Sequence, residues 1–406
     1  MKKRVIIVGG GFGGIATALS LAKQKNPNIQ AVLISDKVHF EYQARLYRVV
    51  NGYCALEVCI PLGKIFKKYN IEIIEDFIES VDLGKRELVG NSGSRYFYDF
   101  VILAMGSQTT YLDIPGLKEF SFGFKSIQEA LKLKSHLHKV VEECKDSIPE
   151  DKTKLAHLVV VGGGASGVEL AGELAIYMRR LTKMHGLDYS FVTIDLIEAA
   201  PRLLPIVDEK VSNKITNHLR KLGVNIFVNR AVIKEEVEQV FLKDMQMKSA
   251  TLIWTAGVKP NDLYGQIKGL NFDKRGKVIV DKHLRAKGHQ NVFVIGDGAS
   301  TTYSGMAQTA ISEGKYAAEF IGGNLKKQTL ESYQPKKPIY AIPVGSGWAA
   351  IAIGKLNIYG RLGWWLRRLA DLRYFLSILS FIEALKVFRY GTKITESCPI
   401  CSKEAK

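Results

Sequence analysis

The sequence predicts an α/β protein carrying two parallel βαβ nucleotide folds, on three observations. Two apolar runs, Val5-Ile6-Ile7-Val8 and Leu158-Val159-Val160-Val161, lead into the glycine clusters Gly9-Gly10-Gly11-Phe12-Gly13-Gly14 and Gly162-Gly163-Gly164-Ala165-Ser166-Gly167. A helical stretch follows each cluster. A second apolar run then ends on a carboxylate, at Asp36 in the first copy and Glu198 in the second. A lone GxGxxG is weak evidence, but here each copy has the strand before it and the helix after it that a pyrophosphate site requires. The first glycine makes the tight turn, the second admits the phosphates, and the third lets helix and strand pack. The helix N-terminus supplies free N–H groups and a positive dipole end. One such site binds one dinucleotide, and two bring a pair together.

Bulk properties narrow the class. At 406 residues, with 47% apolar and 24% charged residues, the chain suits two or three folded domains. The formal net charge of +17 fits nucleic acid, an anionic membrane or anionic cofactors. No nucleic-acid motif and no block of five basic residues accompanies it, which argues against nucleic acid. The basic start Met1-Lys2-Lys3-Arg4 runs straight into a strand broken by glycines, unlike a signal peptide. No apolar run reaches the ~18 residues of a spanning helix. Five cysteines give no framework of paired disulfides, so a reducing compartment is expected. The expected location is the cytoplasm or the cytoplasmic face of a membrane.

In chain order, residues 5–8 read as a strand, 14–24 as a helix and 31–36 as a strand. Asp36 falls near the offset where a ribose hydroxyl needs an acceptor. Residues 98–107 read as a strand entering the Ala104-Met105-Gly106 turn, and Ile114-Pro115-Gly116 breaks regular structure. A lysine-rich amphipathic helix over 126–143 leads to a polar linker over 144–155. The second copy continues with a helix over 168–184 and a strand over 191–197. At its end Glu198 accepts from both ribose hydroxyls and repels a 2′-phosphate. Ala199 and Ala200 add no positive charge, which favours NADH over NADPH, although Arg202 lies close by. A strand over 252–258 carries the Ala256-Gly257 turn, and a late strand over 292–297 ends in Gly296-Asp297. A helix over 307–322, strands over 339–344 and 348–353, and a helical segment over 362–388 complete the chain.

Five separated motifs therefore agree: Gly9–Gly14 with Asp36, the turn at Gly106, Gly162–Gly167 with Glu198, Trp254 to Gly257, and Gly296-Asp297. The set resembles the two-dinucleotide-binding-domain, glutathione-reductase-like flavoproteins, and within them type II NADH dehydrogenases. Phe40-Glu41-Tyr42-Gln43-Ala44-Arg45-Leu46-Tyr47, Ile60-Pro61-Leu62-Gly63-Lys64-Ile65-Phe66, Gly167-Val168-Glu169-Leu170-Ala171-Gly172-Glu173-Leu174 and Pro201-Arg202-Leu203-Leu204-Pro205 carry the closer likeness.

The resemblance implies duplicated Rossmann domains for FAD and NADH. The FAD-binding domain would comprise 1–112 and 266–330, with an NADH-binding domain inserted at 113–265 and a membrane-associating α+β region at 331–406. It implies cofactor contacts at Gly9, Gly11, Phe12, Gly13, Gly14, Asp36, Lys37, Arg45, Ile78, Ala104, Gly106, Gly296, Asp297 and Ala307. On the NADH side it implies Gly162, Gly164, Ala165, Ser166, Gly167, Glu198, Ala256 and Gly257. Asp297 would hold the ribityl chain of FAD. Glu169 would act at the nicotinamide–flavin junction, and Gln308 would face a quinone. No metal is expected.

Some residues depart from the family's pattern. Ala44-Arg45 stands where a Pro-Leu pair is expected, and Met105 replaces a threonine. The quinone-side pattern Ala-Gln-x-Ala-x-Gln reads Ala307-Gln308-Thr309-Ala310-Ile311-Ser312, with Glu313 following. That leaves the electron acceptor open between a quinone and a protein or disulfide partner of a soluble reductase. A third reading is an FAD/NADH-binding redox sensor.

Cys54 and Cys59 imitate the CxxxxC of disulfide reductases, but the last of the eight histidines is His289, leaving no C-terminal base for the thiol. Cys398 and Cys401 supply only two of the four ligands a zinc site needs. Residues 361–393 mix basic residues with Trp364, Trp365 and many aliphatics, as in helices that lie in a membrane interface. Packing on the FAD domain or at a homodimer interface is the alternative.

Overall fold

A computed structural model describes residues 2–392, so Lys393, Cys398 and Cys401 lie outside the described residues. The chain divides into two compact units. The first holds residues up to Ala44, Cys59–Gln108 and Val258–Pro338; the second holds Arg45–Val58, Thr109–Gly257 and the described chain from Ile339.

The first unit is built on a five-stranded sheet in the order Val292–Val294, Phe100–Leu103, Lys3–Val8, Ile29–Ser35, Glu72–Glu75. Every pairing is parallel, with Val5 opposite Ala31 on one side and Phe100 on the other. The central strand is apolar without alternation because parallel sheets of this kind are covered on both faces; Val5, Ile6 and Ile7 are fully buried. The helix Phe12–Lys23 starts two residues before the expected point, because Gly11 in extended conformation serves as its N-cap. It packs on the helix Ala307–Leu325 through small residues. A Cβ on Gly314 would lie 2.4 Å from the Gly13 carbonyl oxygen. An antiparallel meander, Ile78–Asp82, Glu87–Gly90 and Arg95–Phe97, sits beside this sheet in the chain.

The second unit repeats the plan. Its parallel sheet runs Phe122–Gly123, Thr251–Trp254, His157–Val161, Thr193–Ile197, Val224–Phe227, again with the strand of the glycine cluster at the centre. A three-stranded meander recurs too, at Val232–Glu236, Gln239–Leu242 and Gln246–Lys248. The helix Ile127–Asp146 opens with a reciprocal capping box between Ser126 and Glu129. The stretch expected as a polar linker contains a helix, Pro149–Leu155. Proline at its first position, Glu150 and Asp151 in the first turn and lysines in the last complement its dipole, so it forms without an apolar face.

From Ile339 the chain adds an antiparallel sheet, Tyr340–Pro343, Ala349–Ile353 and Leu356–Tyr359. The third strand was not foreseen. Its two-residue turn uses Gly354 at φ +59° followed by lysine, outside the Asn-Gly signature of such hairpins. The helical stretch expected over 362–388 is two helices, Gly360–Ile378 and Phe381–Tyr390. Ser380 interrupts them and caps the second by accepting from the Glu383 N–H. This region belongs with the second unit: Trp348 stacks on His218 with ring centroids 4.2 Å apart.

The glycine-mediated crossing in the first unit yields a direct test. Gly314→Ala should lower unfolding stability by about 1–3 kcal/mol, the usual cost of overpacking, seen as a lower denaturant midpoint at constant m-value. An unchanged midpoint would contradict the close approach.

Candidate cofactor sites and active-site residues

The two glycine clusters have the same construction. Gly9 adopts φ +112°, and a Cβ there would meet the Ala104 carbonyl oxygen at 2.4 Å. Gly162 adopts φ +117°, and its Cβ would meet Thr255 Oγ1 at 2.6 Å. The third glycines, Gly14 and Gly167, would each place a Cβ 1.9 Å from the carbonyl oxygen of the first. Packing therefore forbids any side chain at these four positions. The middle glycines differ: no atom lies within 4 Å of a Cβ built on Gly11 or Gly164. Protein packing does not require glycine there, whereas close approach by a pyrophosphate does. Gly11 and Gly164 are also the N-caps of the helices Phe12–Lys23 and Ala165–Met184, with Phe12, Gly13, Ala165 and Ser166 in the first turns. The residues present fit two dinucleotides.

In the first unit Asp36 is exposed immediately beyond the strand Ile29–Ser35. Lys37 turns its amine to Glu41 at 2.8 Å. Ala104 packs against the Gly9 turn, and the Gly106 carbonyl accepts from the Asn261 N–H at 3.1 Å. Ile78 has its side chain in the core with Val8, Ile34 and Val101. Ser107 donates to Asp297, which follows Gly296 at φ +71°. Ala307 opens the helix Ala307–Leu325, with Gln308 exposed in its first turn.

The departure at Ser312-Glu313 is spent inside this unit. Ser312 hydrogen-bonds Tyr333. The fully buried Glu313 accepts from the Gly296 N–H at 2.6 Å and from the Thr301 hydroxyl at 2.5 Å. Burial pushes its carboxyl up to about 7 against those two hydrogen bonds. Sequence reasoning gave Glu313 no role, since only the fold brings it under the Gly296-Asp297 turn.

Arg45 is placed differently from the expectation that it binds a cofactor. It belongs to the second unit and is 1% exposed. Its guanidinium pairs with Glu57 and with Asp371, the latter through Nε at 2.6 Å. A buried guanidinium must be compensated by carboxylates, and here one of them lies 326 residues away in the chain. Arg48 joins the cluster, 3.0 Å from Glu57, as do Arg367 on Asp371 and Arg368.

On the NADH side, Glu198 accepts from the Gly163 N–H at 2.6 Å and the Ala200 N–H at 2.7 Å, so its carboxylate is fixed at the glycine turn. Arg202 donates to the carbonyls of Leu204, Pro205 and Val207. Those bonds tie it down locally, and Arg230, whose N–H donates to the Glu198 carbonyl, turns its guanidinium to Asp244 at 3.0 Å. Ala256 and the buried Gly257 form the turn beside Gly162. Glu169 is half-buried in the first turns of Ala165–Met184. Removal from water, helped by Asp371 and Glu173 and opposed by Arg367, pushes its carboxyl up to about 8. Desolvation outweighs the helix dipole, which alone would favour the charged form. Cys54 and Cys59 are not joined to each other by a disulfide.

Residues 3–314 match the pyridine nucleotide-disulphide oxidoreductase family, and the chain belongs to it as a two-domain FAD/NAD flavoprotein. Within that family it stands close to the type II NADH dehydrogenases. It is 30% identical to the type II NADH:quinone oxidoreductase Ndh of Mycobacterium tuberculosis, over 95% of this chain and 87% of that protein. It is 27% identical to the type II NADH:quinone oxidoreductase of Staphylococcus haemolyticus, over 82% and 85%. Among solved structures, NDH2 from Plasmodium falciparum in complex with NADH superposes with a TM-score of 0.86 at 19% identity, covering 97% of this chain and 98% of that one. The sulfide:quinone oxidoreductase of Aquifex aeolicus shares the fold at a TM-score of 0.78 and 19% identity, covering 96% and 92%.

The arginine cluster makes the second prediction. Arg45→Met leaves Glu57 and Asp371 short of a counter-charge and should cost about 3–5 kcal/mol in unfolding free energy. Wild-type stability for this variant would return Arg45 to the list of cofactor ligands.

Proposed function

We propose that this chain is an NADH:quinone oxidoreductase that passes hydride from NADH to FAD and then two electrons to a membrane quinone. The observation that carries the proposal is the duplication of one dinucleotide site, with Asp297 in one unit and the fixed carboxylate of Glu198 in the other. Bound FAD supplies the hydride acceptor and electron donor; the protein supplies binding, orientation and electrostatics.

Gly9, Gly11 and Gly14 let the backbone reach the FAD pyrophosphate, and Gly162, Gly164 and Gly167 do so for NADH. Asp36 and Glu198 receive ribose hydroxyls, and Asp297 the ribityl chain. Glu169 holds a proton at neutral pH and is the candidate acid. Gln308, whose amide both donates and accepts, is the candidate group facing the quinone, at a helix N-terminus that favours negative charge on its neighbour.

A membrane substrate agrees with the C-terminal helices. The helix Gly360–Ile378 buries Arg367, Arg368 and Asp371, while Leu362, Trp365 and Leu369 are each more than half exposed. Phe381 and Ile382 extend the apolar surface at about two-thirds exposure. No helix among the described residues is long and apolar enough to cross a membrane. The supported reading is a helix lying in the interface of the cytoplasmic leaflet. Because the same helix carries Asp371 for Arg45, truncation would damage the unit, and outward substitutions are the cleaner probe. Trp365→Glu with Leu369→Glu should abolish binding to anionic vesicles and leave NADH-dependent flavin bleaching unchanged. Retained vesicle binding would remove the helix from that role.

Glu169→Gln should keep FAD bound and lower quinone-dependent NADH oxidation roughly 100-fold, the low end for a positioned proton donor. The protonated form prevails below the raised value of about 8, so wild-type turnover should fall as pH rises through it. The glutamine variant should lose that limb. Full activity in the variant, or NADH oxidation insensitive to a quinone analogue in the wild type, would overturn the assignment.

A further inference from the structure

Resting on that reading of Glu169, we infer that Glu173 is its proton-holding partner and that the two carboxyls form a short relay inside the second unit. They stand four residues apart on the helix Ala165–Met184, the spacing that puts side chains on one helical face. Glu173 is 5% exposed, and Asn51 Nδ2 donates to its Oε2 at 2.6 Å. Asn51 is itself buried, with its carbonyl accepting from Arg180. One oxygen of Glu173 is therefore fixed as an acceptor, which orients the carboxyl and leaves its other oxygen to carry the proton.

The charged groups around the pair come from three directions. The 45–51 segment brings Arg45, Arg48 and the buried phenol of Tyr47; the helix Gly360–Ile378 brings Arg367 and Asp371; the pair's own helix brings Arg180. Arg45 and Arg48 are engaged by Glu57, and Arg45 and Arg367 by Asp371. Burial, the leading effect at both glutamates, favours the neutral acids, while the arginines favour the carboxylates. Glu173 is left at about 7 and Glu169 at about 8. The Glu173 charge one turn away adds to the rise at Glu169, so Glu169 is the more firmly protonated of the two.

The stoichiometry calls for such a store. NADH, quinone and one proton give NAD⁺ and quinol; the hydride carries one hydrogen, and the remaining proton comes from bulk water. In the relay Glu169 gives up its proton, the Glu173 acid transfers its own to the Glu169 carboxylate, and water reprotonates Glu173. No net charge accumulates and no further reactant is needed. Glu173 is a positioning residue in this scheme, since it acts through Glu169.

The test uses the FAD-loaded full chain. Glu173→Gln should leave the single-turnover rate of flavin bleaching by NADH at the wild-type value. Steady-state reduction of a soluble quinone analogue should fall about tenfold, less than the ~100-fold effect of a direct donor, and its pH profile should lose one ionisation. Glu173→Asp should restore that ionisation. Asn51→Ala removes a donor that favours the charged carboxylate, so the limb assigned to Glu173 should move to higher pH. A Glu173→Gln profile of wild-type shape, or one lowered equally at every pH, overturns the relay. A wild-type flavin that NADH fails to bleach overturns the enzyme reading itself, which separates the two failures.

Discussion

At the glycine turn of each nucleotide fold, backbone packs directly against backbone. At Gly9–Gly14 and at Gly162–Gly167 the first glycine's carbonyl lies where the third residue's Cβ would stand, at 1.9 Å in both copies. That approach brings the helix start up to the end of the central strand, so its free N–H groups face the place where a pyrophosphate lies. The rest is arranged around it. The neighbouring parallel strands end one residue before Asp36 and Glu198, and the late turns at Ala104 and Ala256 close on the first glycine. The same steric solution occurs twice in one chain, which is the strongest sign that two related ligands are bound.

The second constraint is electrostatic and belongs to one unit. Arg45, Arg48, Arg367 and Arg368 are buried with Glu57 and Asp371, joining the 45–58 segment to helices that follow Ile339. Buried ion pairs seldom add much net stability compared with apolar packing, but they specify which partners meet. Here they mix the usual amphipathic pattern: the helix Gly360–Ile378 buries Arg367, Arg368 and Asp371 alongside Phe375 and Ile378, and leaves Leu362, Trp365 and Leu369 outward. Their arginines also pull Glu169 and Glu173 toward the charged form, against the burial that raises both carboxyls.

The parts legible in the sequence were those fixed locally. The apolar runs at 5–8 and 158–161, the glycine spacing and the acids at strand ends need only the few residues around them, and the parallel sheets follow from those patterns. What was not legible depended on distant partners. Arg45 looked like a cofactor ligand because its counter-charge, Asp371, lies near the other end of the chain. Glu313 and Glu173 drew no role from the sequence, because only the fold places Gly296 and Asn51 against them. The break at Ser380 was hidden because the apolar spacing continues across it, and the helix Pro149–Leu155 because its stability comes from proline and end charges rather than periodicity.

Binding of one dinucleotide at each glycine turn is tested most directly by separate Gly11→Leu and Gly164→Leu variants, through visible absorbance with and without NADH. Gly11→Leu should yield folded, colourless protein that takes up no FAD. Gly164→Leu should yield a yellow protein whose flavin NADH no longer bleaches. Full flavin content and normal bleaching in both variants would contradict the account.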